Sequence, residues 1–198
     1  MPDLTFHHYI GPQIRTVFEP LARLRIAVFR EFPYLYEGSI AYETTYLETY
    51  AQSRRSLLFA VFEEGQMVGA TTCLPLTDET AAVQEPFRKA GYDLSTILYF
   101  GESLLLPSYR GLGLGHRFFD EREAHAARFG TYPITCFCAV QRPTDHPLRP
   151  TDYRPLDSFW QRRGYQREPR LQSTFYWPDL GEAEETGKPM VYWLKHSH

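Results

Sequence analysis

The sequence has few cysteines and no long apolar run. It contains three cysteines among 198 residues, an odd number and too few for a disulfide framework. No stretch approaches the ~18 consecutive apolar residues that span a bilayer. The start, MPDLTFHHYIG, lacks a cationic segment followed by an apolar one, as a secretory signal would have. We therefore expect a cytoplasmic protein with no membrane partner.

An excess of charge of one sign is missing as well. The 21 Lys and Arg residues are balanced by 24 Asp and Glu residues, giving a formal net charge of −3, and no basic stripe is present. Nucleic acid is therefore a poor candidate partner, and chemistry on small molecules is favoured. The length fits one domain, residues 1–198, with enough chain to bury a full core.

The most informative stretch is residues 99–129, which the pattern predicts to be a strand, a turn, a glycine loop and a helix. Pro107 ends the strand because it has no amide for a ladder. Gly111, Gly113 and Gly115 then let successive amides point into one concavity without an obstructing Cβ. The following helix adds its first free amides and the positive end of its dipole. We expect an anion site here, and diphosphate is the natural ligand.

Other phosphate-binding glycine motifs agree less well with the sequence of this loop. A Walker loop needs Gly-Lys-Ser/Thr, but Gly115 is followed by His116 and Arg117. The dinucleotide fingerprint needs a third glycine at position 116 and a place after the first strand. A merely flexible turn is the remaining alternative, and the flanking strand and helix together with Arg110 favour the anion site.

The motif Arg110-x-x-Gly113-x-Gly115 resembles the signature of the GNAT superfamily of acyl-CoA-dependent N-acyltransferases, Gln/Arg-x-x-Gly-x-Gly/Ala between a strand and a helix. The preceding Pro-x-Tyr-Arg turn extends the resemblance. Residues 159–165 (FWQRRGY) are similar to the family's later helix and its Gly-aromatic pair. Over residues 4–195, the predicted helices and strands follow the same order as those of the family.

The predicted elements agree with that resemblance. The pattern predicts hairpin strands at 56–63 and 66–76, a terminal strand pair at 173–177 and 190–195, and one strand-helix-strand crossover between them. The expected fold is α+β (mixed α/β) and GNAT-like, with a central, mostly antiparallel sheet of about seven strands flanked by about four helices.

The resemblance implies acetyl-CoA as co-substrate, direct attack by an amine on the thioester, and no metal. It implies that the backbone of the central strand's end binds the pantetheine arm, with an amide there for the developing oxyanion. These strand residues are Leu104, Leu105 and Leu106. The residues implied to bind the diphosphate, mainly through their amides, are Arg110, Gly111, Leu112, Gly113, Leu114, Gly115 and His116.

The sequence also offers candidates for the catalytic base and the catalytic acid. Glu102, the one acidic residue of the central strand, is the candidate base, and the alternative is a structural carboxylate bonded to amides or an arginine. Many relatives carry a tyrosine after the Phe of the later helix to protonate the departing thiolate, whereas this chain has Trp160, and indole is no useful acid. The remaining options are Tyr165, Tyr153, or departure of the unprotonated thiolate toward the glycine-loop helix.

The sequence does not identify the acceptor. We expect the long connections 77–96 and 141–152 to wall the acceptor site at the open end of the pantetheine channel, with Arg142 a candidate for reading a polar acceptor. The expected acceptor is the primary amine of a small polar molecule. The alternatives are a protein N-terminus or lysine, and a non-catalytic CoA-binding sensor. Both a monomer and a homodimer are compatible with the sequence.

Overall fold

The computed structural model describes residues 3–197. Within that range the chain forms seven strands and five α-helices, one helix more than expected. The strands are β1 (Leu4–Ile10), β2 (Leu57–Glu63), β3 (Gln66–Pro75), β4 (Ile97–Leu105), β5 (Ile134–Val140), β6 (Gln166–Trp177) and β7 (Thr186–His196). The helices are α1 (Phe18–Phe29), α2 (Ile40–Gln52), α3 (Ala81–Lys89), α4 (Leu114–Phe129) and α5 (Asp157–Arg162).

All seven strands join one sheet in the order β1-β2-β3-β4-β5-β7-β6. Only β4 and β5 pair in parallel, and α4 supplies the crossover that a parallel pair needs. The other neighbours are antiparallel. The predicted fold class, a mixed and mostly antiparallel sheet with helices around it, is confirmed.

The helices cover the sheet on two faces. Leu21 of α1 and Leu47 of α2 belong to the same buried cluster as Tyr99, and α3 adds to it. We call this side the α1/α2 face. Phe119 of α4 and Phe159 of α5 pack with Phe100 in a second cluster, which defines the α4/α5 face. Neighbouring residues of β4 therefore point to opposite faces, as the pleat of a strand requires. In the described chain, no helix is long and apolar enough to cross a membrane.

A gap opens between the two parallel strands. β4 pairs with β5 only from Ile97 to Tyr99, opposite Ile134 to Cys136. Both strands continue, to Leu105 and Val140, so beyond Tyr99 they separate. The gap is therefore closed at the start of the two strands and open at their carboxyl ends.

A bulge lies in β4 at the edge of this gap. The register between β3 and β4 shifts so that Gly101 and Glu102 lie opposite the single residue Thr72. A Cβ on Gly101 would lie 1.8 Å from the hydroxyl oxygen of Tyr50, so only glycine fits there. The amide of Glu102 donates to Thr72 Oγ1 at 3.3 Å, which satisfies it without a regular ladder bond.

Candidate active site

The glycine loop lies at the open end of the gap, between β4 and α4. Gly111 has φ +80° and Gly113 has φ +82°, values that glycine adopts without a steric penalty. A Cβ at either position would meet nothing within 4 Å, so it is the backbone conformation, and not crowding, that calls for glycine. Gly113 is the N-cap of α4, which sets the helix start directly at the loop.

The amides of this loop are free. Within the described chain, the amides of residues 111–115 donate to no acceptor, whereas the amide of His116 donates to the Gly113 carbonyl at 3.1 Å. Consecutive free amides at a helix N-terminus form an anion-binding site, and the helix dipole strengthens it. This is the arrangement expected from the sequence, and binding of a diphosphate to it stays a prediction.

The side chains of the loop are more engaged than the sequence suggested. Arg110 donates through Nε and Nη2 to the Leu105 carbonyl, both at 3.1 Å, and its Nη1 lies 2.8 Å from Glu31 Oε2. The guanidinium thus folds over the end of β4 with its charge paired. The ring of His116 packs edge-on against Phe159 at a centroid distance of 4.9 Å. Arg110 therefore positions the loop, and the free loop amides are the candidate ligands for an anion.

The end of β4 is where the resemblance places the pantetheine arm. Leu104 is buried, whereas Leu105 and Leu106 are half-buried. The Leu106 amide donates to the Val68 carbonyl of β3 at 3.0 Å. On its other side this part of β4 has no pairing with β5 in residues 3–197. An unpaired strand edge offers backbone donors and acceptors to an extended amide-bearing ligand.

Glu102 lies at the bulge, with its side chain on the α1/α2 face and 2% exposed. Its Oε2 forms an ion pair with Arg25 Nη1, and Arg25 Nε pairs in turn with Oε2 of the fully buried Glu43. The Arg25 guanidinium lies over the ring of Tyr46, 4.4 Å from its centroid. Glu102 is thus one of two carboxylates that share one buried arginine.

The ionisation of this group follows from burial and charge together. Burial raises the pKa of Glu102 above its ordinary value, although Arg25 pulls in the opposite direction. Burial would lower the pKa of Arg25, but the carboxylates of Glu102 and Glu43 outweigh it and raise that pKa well above its ordinary value. The Oε1 atoms of both glutamates are buried without a hydrogen-bond partner. Glu102 therefore keeps one oxygen free to accept a proton.

The two candidate acids, Tyr165 and Tyr153, differ in how deeply they are buried. Tyr165 is fully buried, and its hydroxyl shares a hydrogen bond with Thr135 Oγ1 (3.0 Å) and donates to Glu123 Oε1 (3.1 Å). It packs on the α4/α5 face, and burial raises its pKa well above the ordinary value. A phenol that is enclosed and harder to ionise is poorly suited to deliver a proton in the gap.

Tyr153 is half-buried in the loop after β5. Its ring packs edge-on against Phe32 at 4.7 Å and lies under the guanidinium of Arg149 at 4.8 Å. Burial raises its pKa from the ordinary value. Trp160 packs between Phe137 (5.1 Å) and Trp193 (5.2 Å) on the α4/α5 face. Of the two tyrosines, only Tyr153 is accessible to a ligand.

The side chains of Tyr99 and Cys138 border the gap. The hydroxyl of Tyr99 lies 3.0 Å from Cys138 Sγ, so these two side chains meet across the gap just beyond the last β4–β5 pair. Tyr34 packs on Phe29 at 4.6 Å, and burial raises its pKa well above the ordinary value. Tyr34 lies in the connection between α1 and α2, whose course no local pattern specifies.

The guanidinium of Arg142 is occupied by hydrogen bonds within the protein, so it is not free to bind an acceptor. Its Nε donates to the Pro33 carbonyl and its Nη2 to the Tyr34 carbonyl, each at 2.7 Å. Both terminal nitrogens also bind Asp179, at 2.7 Å, and Lys188 Nζ lies 3.1 Å from the same carboxylate. The α1–α2 loop is thereby fixed to the loop after β5 and to the β6–β7 turn.

The two long connections lie at different ends of the gap. Residues 141–152 leave β5 at the open end, as expected. Residues 77–96 instead enter β4 at its closed end, and α3 within them packs against β6. The expectation that both flank the open end is wrong for residues 77–96, because that segment precedes the paired part of β4.

Two further observations concern other binding possibilities. Residues 3–197 contain no group of three or more His, Cys, Asp and Glu side chains placed to hold a metal ion. A surface groove of about 770 Å³ lies beside α2 and the segment after β3, lined by residues such as Ser53, Arg55 and Asp78. It includes residues 77–80 of the predicted acceptor wall but none of the residues predicted to be catalytic or to bind acetyl-CoA, so we do not assign the active site to it.

Comparison with known proteins points to one family. Residues 23–150 match the model of the Acetyltransferase (GNAT) family. No curated protein sequence matches the chain. Among solved structures, Arabidopsis thaliana NAA60 in complex with a bisubstrate analogue is similar with TM-score 0.61 and 9% identity, covering 98% of this chain and 99% of that one.

Two bacterial structures are similar to the same extent. Salmonella typhimurium yncA, solved with its cofactor acetyl-CoA, has TM-score 0.58 and 9% identity, covering 98% of this chain and 94% of that one. The ribosomal-protein-S18-alanine N-acetyltransferase of Escherichia coli has TM-score 0.58 and 11% identity, covering 98% and 95% respectively. At such identities the likeness establishes the fold.

Proposed function

This chain belongs to the acetyltransferase (GNAT) family, and we propose that it transfers an acetyl group from acetyl-CoA to the primary amine of a small polar molecule. The observation that carries the proposal is the set of free amides at residues 111–115, next to the gap between β4 and β5. A diphosphate suits the amides, and an extended arm suits the unpaired edge of β4. The likeness to yncA, which was solved with acetyl-CoA, supports the choice of co-substrate.

Acetyl-CoA, when bound, supplies an activated acetyl thioester. The chain's own part begins with the amides of residues 111–115, which would hold the diphosphate while Arg110, paired with Glu31, fixes the loop. The free edge of β4 from the bulge to Leu106 would then align the arm and offer an amide to the thioester oxygen. Because no metal or side-chain nucleophile enters this scheme, catalysis depends on alignment and on removal of the amine's proton.

Proton removal is the step that needs a side chain. An amine of pKa near 10.4 resists deprotonation at pH 7 by about 4.6 kcal/mol. We assign this step to Glu102, whose free Oε1 and raised pKa are the properties of a base. Glu102 would take the proton, directly or through one water, as the nitrogen bonds to the acetyl carbon and the sulfur keeps the electron pair of the breaking C–S bond.

The acceptor side favours a small molecule over a protein. Arg142 and Asp179 fix the loop that carries Pro33 and Tyr34 to the loop after β5. We infer that this fixed loop limits the width of the acceptor side. An open groove would suit a protein N-terminus or lysine better. The likeness to the S18-alanine enzyme keeps a protein amine as the second candidate. A CoA-binding sensor without activity is the third.

Turnover with a panel of acceptors separates these candidates. The full-length protein, acetyl-CoA, a set of small diamines, aminoglycosides and amino acids, and a set of N-terminal and lysine peptides would be assayed for free thiol release. We expect release with at least one small amine. Release with peptides alone would move the assignment to protein acetylation, and CoA binding without release above background would make the protein a sensor.

The anion site has its own test in Gly113→Asp. We expect CoA affinity to fall by about 100-fold or more, because a carboxylate would enter a site built for a diphosphate. The matched control is Gly91→Asp, since Gly91 has the same φ of +82° and equally open space, but lies away from the loop. Calorimetry on both variants isolates the added charge from backbone strain, and equal affinities would remove the diphosphate from this loop.

A further inference from the structure

Arg149 is a half-buried arginine in the connection that leaves β5 at the open end of the gap. Its guanidinium carbon lies 4.8 Å from the ring centroid of Tyr153 and 5.9 Å from that of Phe32. Within residues 3–197, these two rings are its partners, and neither a carboxylate nor a carbonyl binds the guanidinium. The hydrogen-bond donors of Arg149 are therefore available to a ligand.

Aromatic packing holds this guanidinium in place. The rings of Phe32 and Tyr153 pack edge-on at 4.7 Å, and the ring of His146 lies 5.6 Å from that of Phe32. The amide of Arg149 donates to the His146 carbonyl at 2.9 Å, which fixes the backbone as well. Cation–π contacts use the face of a guanidinium and leave its N–H fork free, and that fork matches the two oxygens of a carboxylate.

The three arginines of residues 141–156 have different surroundings. Arg142 donates to the carbonyls of Pro33 and Tyr34 and to Asp179. Arg154 is exposed, as a solvated surface charge would be. Arg149 combines partial burial with unused donors. Partial burial strengthens its attraction for an anion, because the effective dielectric constant is lower there than in bulk water.

Tyr34 connects the surroundings of Arg149 with the reaction site. Burial raises the pKa of Tyr34, Cys138, Tyr153 and Glu102 raise it further, and Arg25 lowers it. The phenol of Tyr34 is therefore within electrostatic range of the aromatic cluster at one end and of the bulge at the other. The space beside it at the open end of the gap is the acceptor side of the site.

The two ends of this acceptor side carry charges of opposite sign. At the bulge, Glu102 and Glu43 share Arg25, and the Oε1 atom of each glutamate is buried without a hydrogen-bond partner, so negative charge is in excess. In the connection after β5, Arg149 supplies a positive charge that no carboxylate of the described residues neutralises. An acceptor with an ammonium group and a carboxylate complements both ends.

We propose that the acceptor is an amino acid, and that Arg149 binds its carboxylate through the N–H fork while the amine lies toward Glu102. This inference rests on the proposed function and narrows its acceptor to zwitterionic amines, so that the product is an N-acetylated amino acid. A diamine or an aminoglycoside offers no carboxylate to Arg149, and its second ammonium group would be repelled there.

Pairs of acceptors that differ by the carboxylate test the proposal: glycine and methylamine, β-alanine and ethylamine, phenylalanine and phenethylamine. Thiol release would be measured with the full-length wild type, R149M and R154M. We expect the ratio of kcat/KM between amino acid and amine to fall by about 10-fold or more in R149M, mainly through KM, because a charge-assisted hydrogen bond is lost. R154M should keep the wild-type ratio. Each protein is tested on the same pair, so the different pKa values of the two amines cancel.

The controls separate carboxylate binding from a packing defect. Methionine keeps an apolar contact with the rings of Phe32 and Tyr153, and R149K restores a charge without the planar fork, so R149K should recover part of the ratio. An unchanged ratio in R149M, an equal fall in R154M, or a fall that R149K does not relieve would overturn the proposal. Thiol release with the amines but with none of the amino acids would overturn it as well.

Binding gives a readout that needs no turnover. Calorimetry of the same amino acids on the protein saturated with CoA should show affinity about 10-fold weaker in R149M than in the wild type. If no amine releases thiol, the proposed function fails, while a loss of affinity in R149M still supports a carboxylate site at Arg149. Equal affinities in the two proteins, or no binding to either, would remove that site.

Discussion

The two faces of the sheet treat a buried arginine in opposite ways. On the α1/α2 face, Arg25 pairs with the carboxylates of Glu43 and Glu102. On the α4/α5 face, the partners of Arg122 among residues 3–197 are the backbone carbonyls of Phe118 and Glu102. Both guanidiniums lie over aromatic rings and both are buried, so the difference lies in the partners. One face carries an excess of negative charge beside β4 and the other an excess of positive charge.

The bulge brings these two environments to one residue. The side chain of Glu102 pairs with Arg25, and its carbonyl binds Arg122. The strand separates two carboxylates from one arginine that has no carboxylate partner in the described residues, and the folded chain fixes that polarity before any ligand binds.

The largest expected effect on stability comes from replacing Arg25. Arg25→Met leaves Glu43 and Glu102 buried without a counter-charge, and we expect about 3–5 kcal/mol less unfolding free energy. R122M, the same substitution on the other face, should cost nothing. Denaturant unfolding of both variants measures the difference. Burial raises the pKa of Glu102, and a protonated carboxyl needs no counter-charge, so the loss in R25M should shrink as the pH falls through that raised pKa. Similar losses of unfolding free energy in R25M and R122M would mean that the carboxylate partners of Arg25 do not determine its contribution to stability.

The second test removes the carboxylate and keeps its shape. Glu102→Gln should lower turnover by about 100-fold at unchanged CoA affinity, the lower range for loss of a general base. The acidic limb of the pH-rate profile should move, because in the wild type it reports a carboxylate whose pKa is raised by burial. In E102Q it would report another group.

Glu43→Gln is the matched control for Glu102, since it removes the other partner of the same arginine. It should lower stability and leave the acidic limb in place. A purely structural Glu102 would behave like Glu43, with lower Tm and ordinary turnover per folded molecule. Melting temperature and pH-rate profile measured on the same preparations distinguish the two.

The sequence could specify those parts of the site that are local. The strand, turn, glycine loop and helix of residues 99–129 follow from Pro107, from glycines at alternate positions and from the apolar pattern. The predicted strands of the terminal hairpin, 173–177 and 190–195, are too short. In the structure they are β6, with 12 residues, and β7, with 11 residues. The first part of β6, QREPRLQ, is polar because it lies at the exposed edge of the sheet, so no alternation marks it as a strand.

The electrostatic arrangement could not be predicted from local pattern. Arg25 and Glu102 are 77 residues apart in sequence, and each looks like an ordinary charge in its own segment. Arg122 sits in the run DEREAHAARF, where a solvated face is the simplest interpretation. Burial of these charges is decided by which helix covers which face, and that is a property of the tertiary fold. Glu102 stood out only because its strand is otherwise apolar.

The smallest expected effect concerns Tyr165, the acid candidate on the α4/α5 face. Tyr165→Phe removes the hydrogen bonds to Thr135 and Glu123, which should cost about 1–2 kcal/mol of unfolding free energy. Turnover per folded molecule should change by less than about twofold, because an enclosed phenol with a raised pKa is a poor proton donor. Tyr153→Phe, at the half-buried site, is the paired variant. We expect little change in stability and, if the thiolate leaves unprotonated, little change in turnover. A loss of turnover in Y153F would identify a side-chain acid after all, and a loss in Y165F without a loss of stability would place that acid on the α4/α5 face.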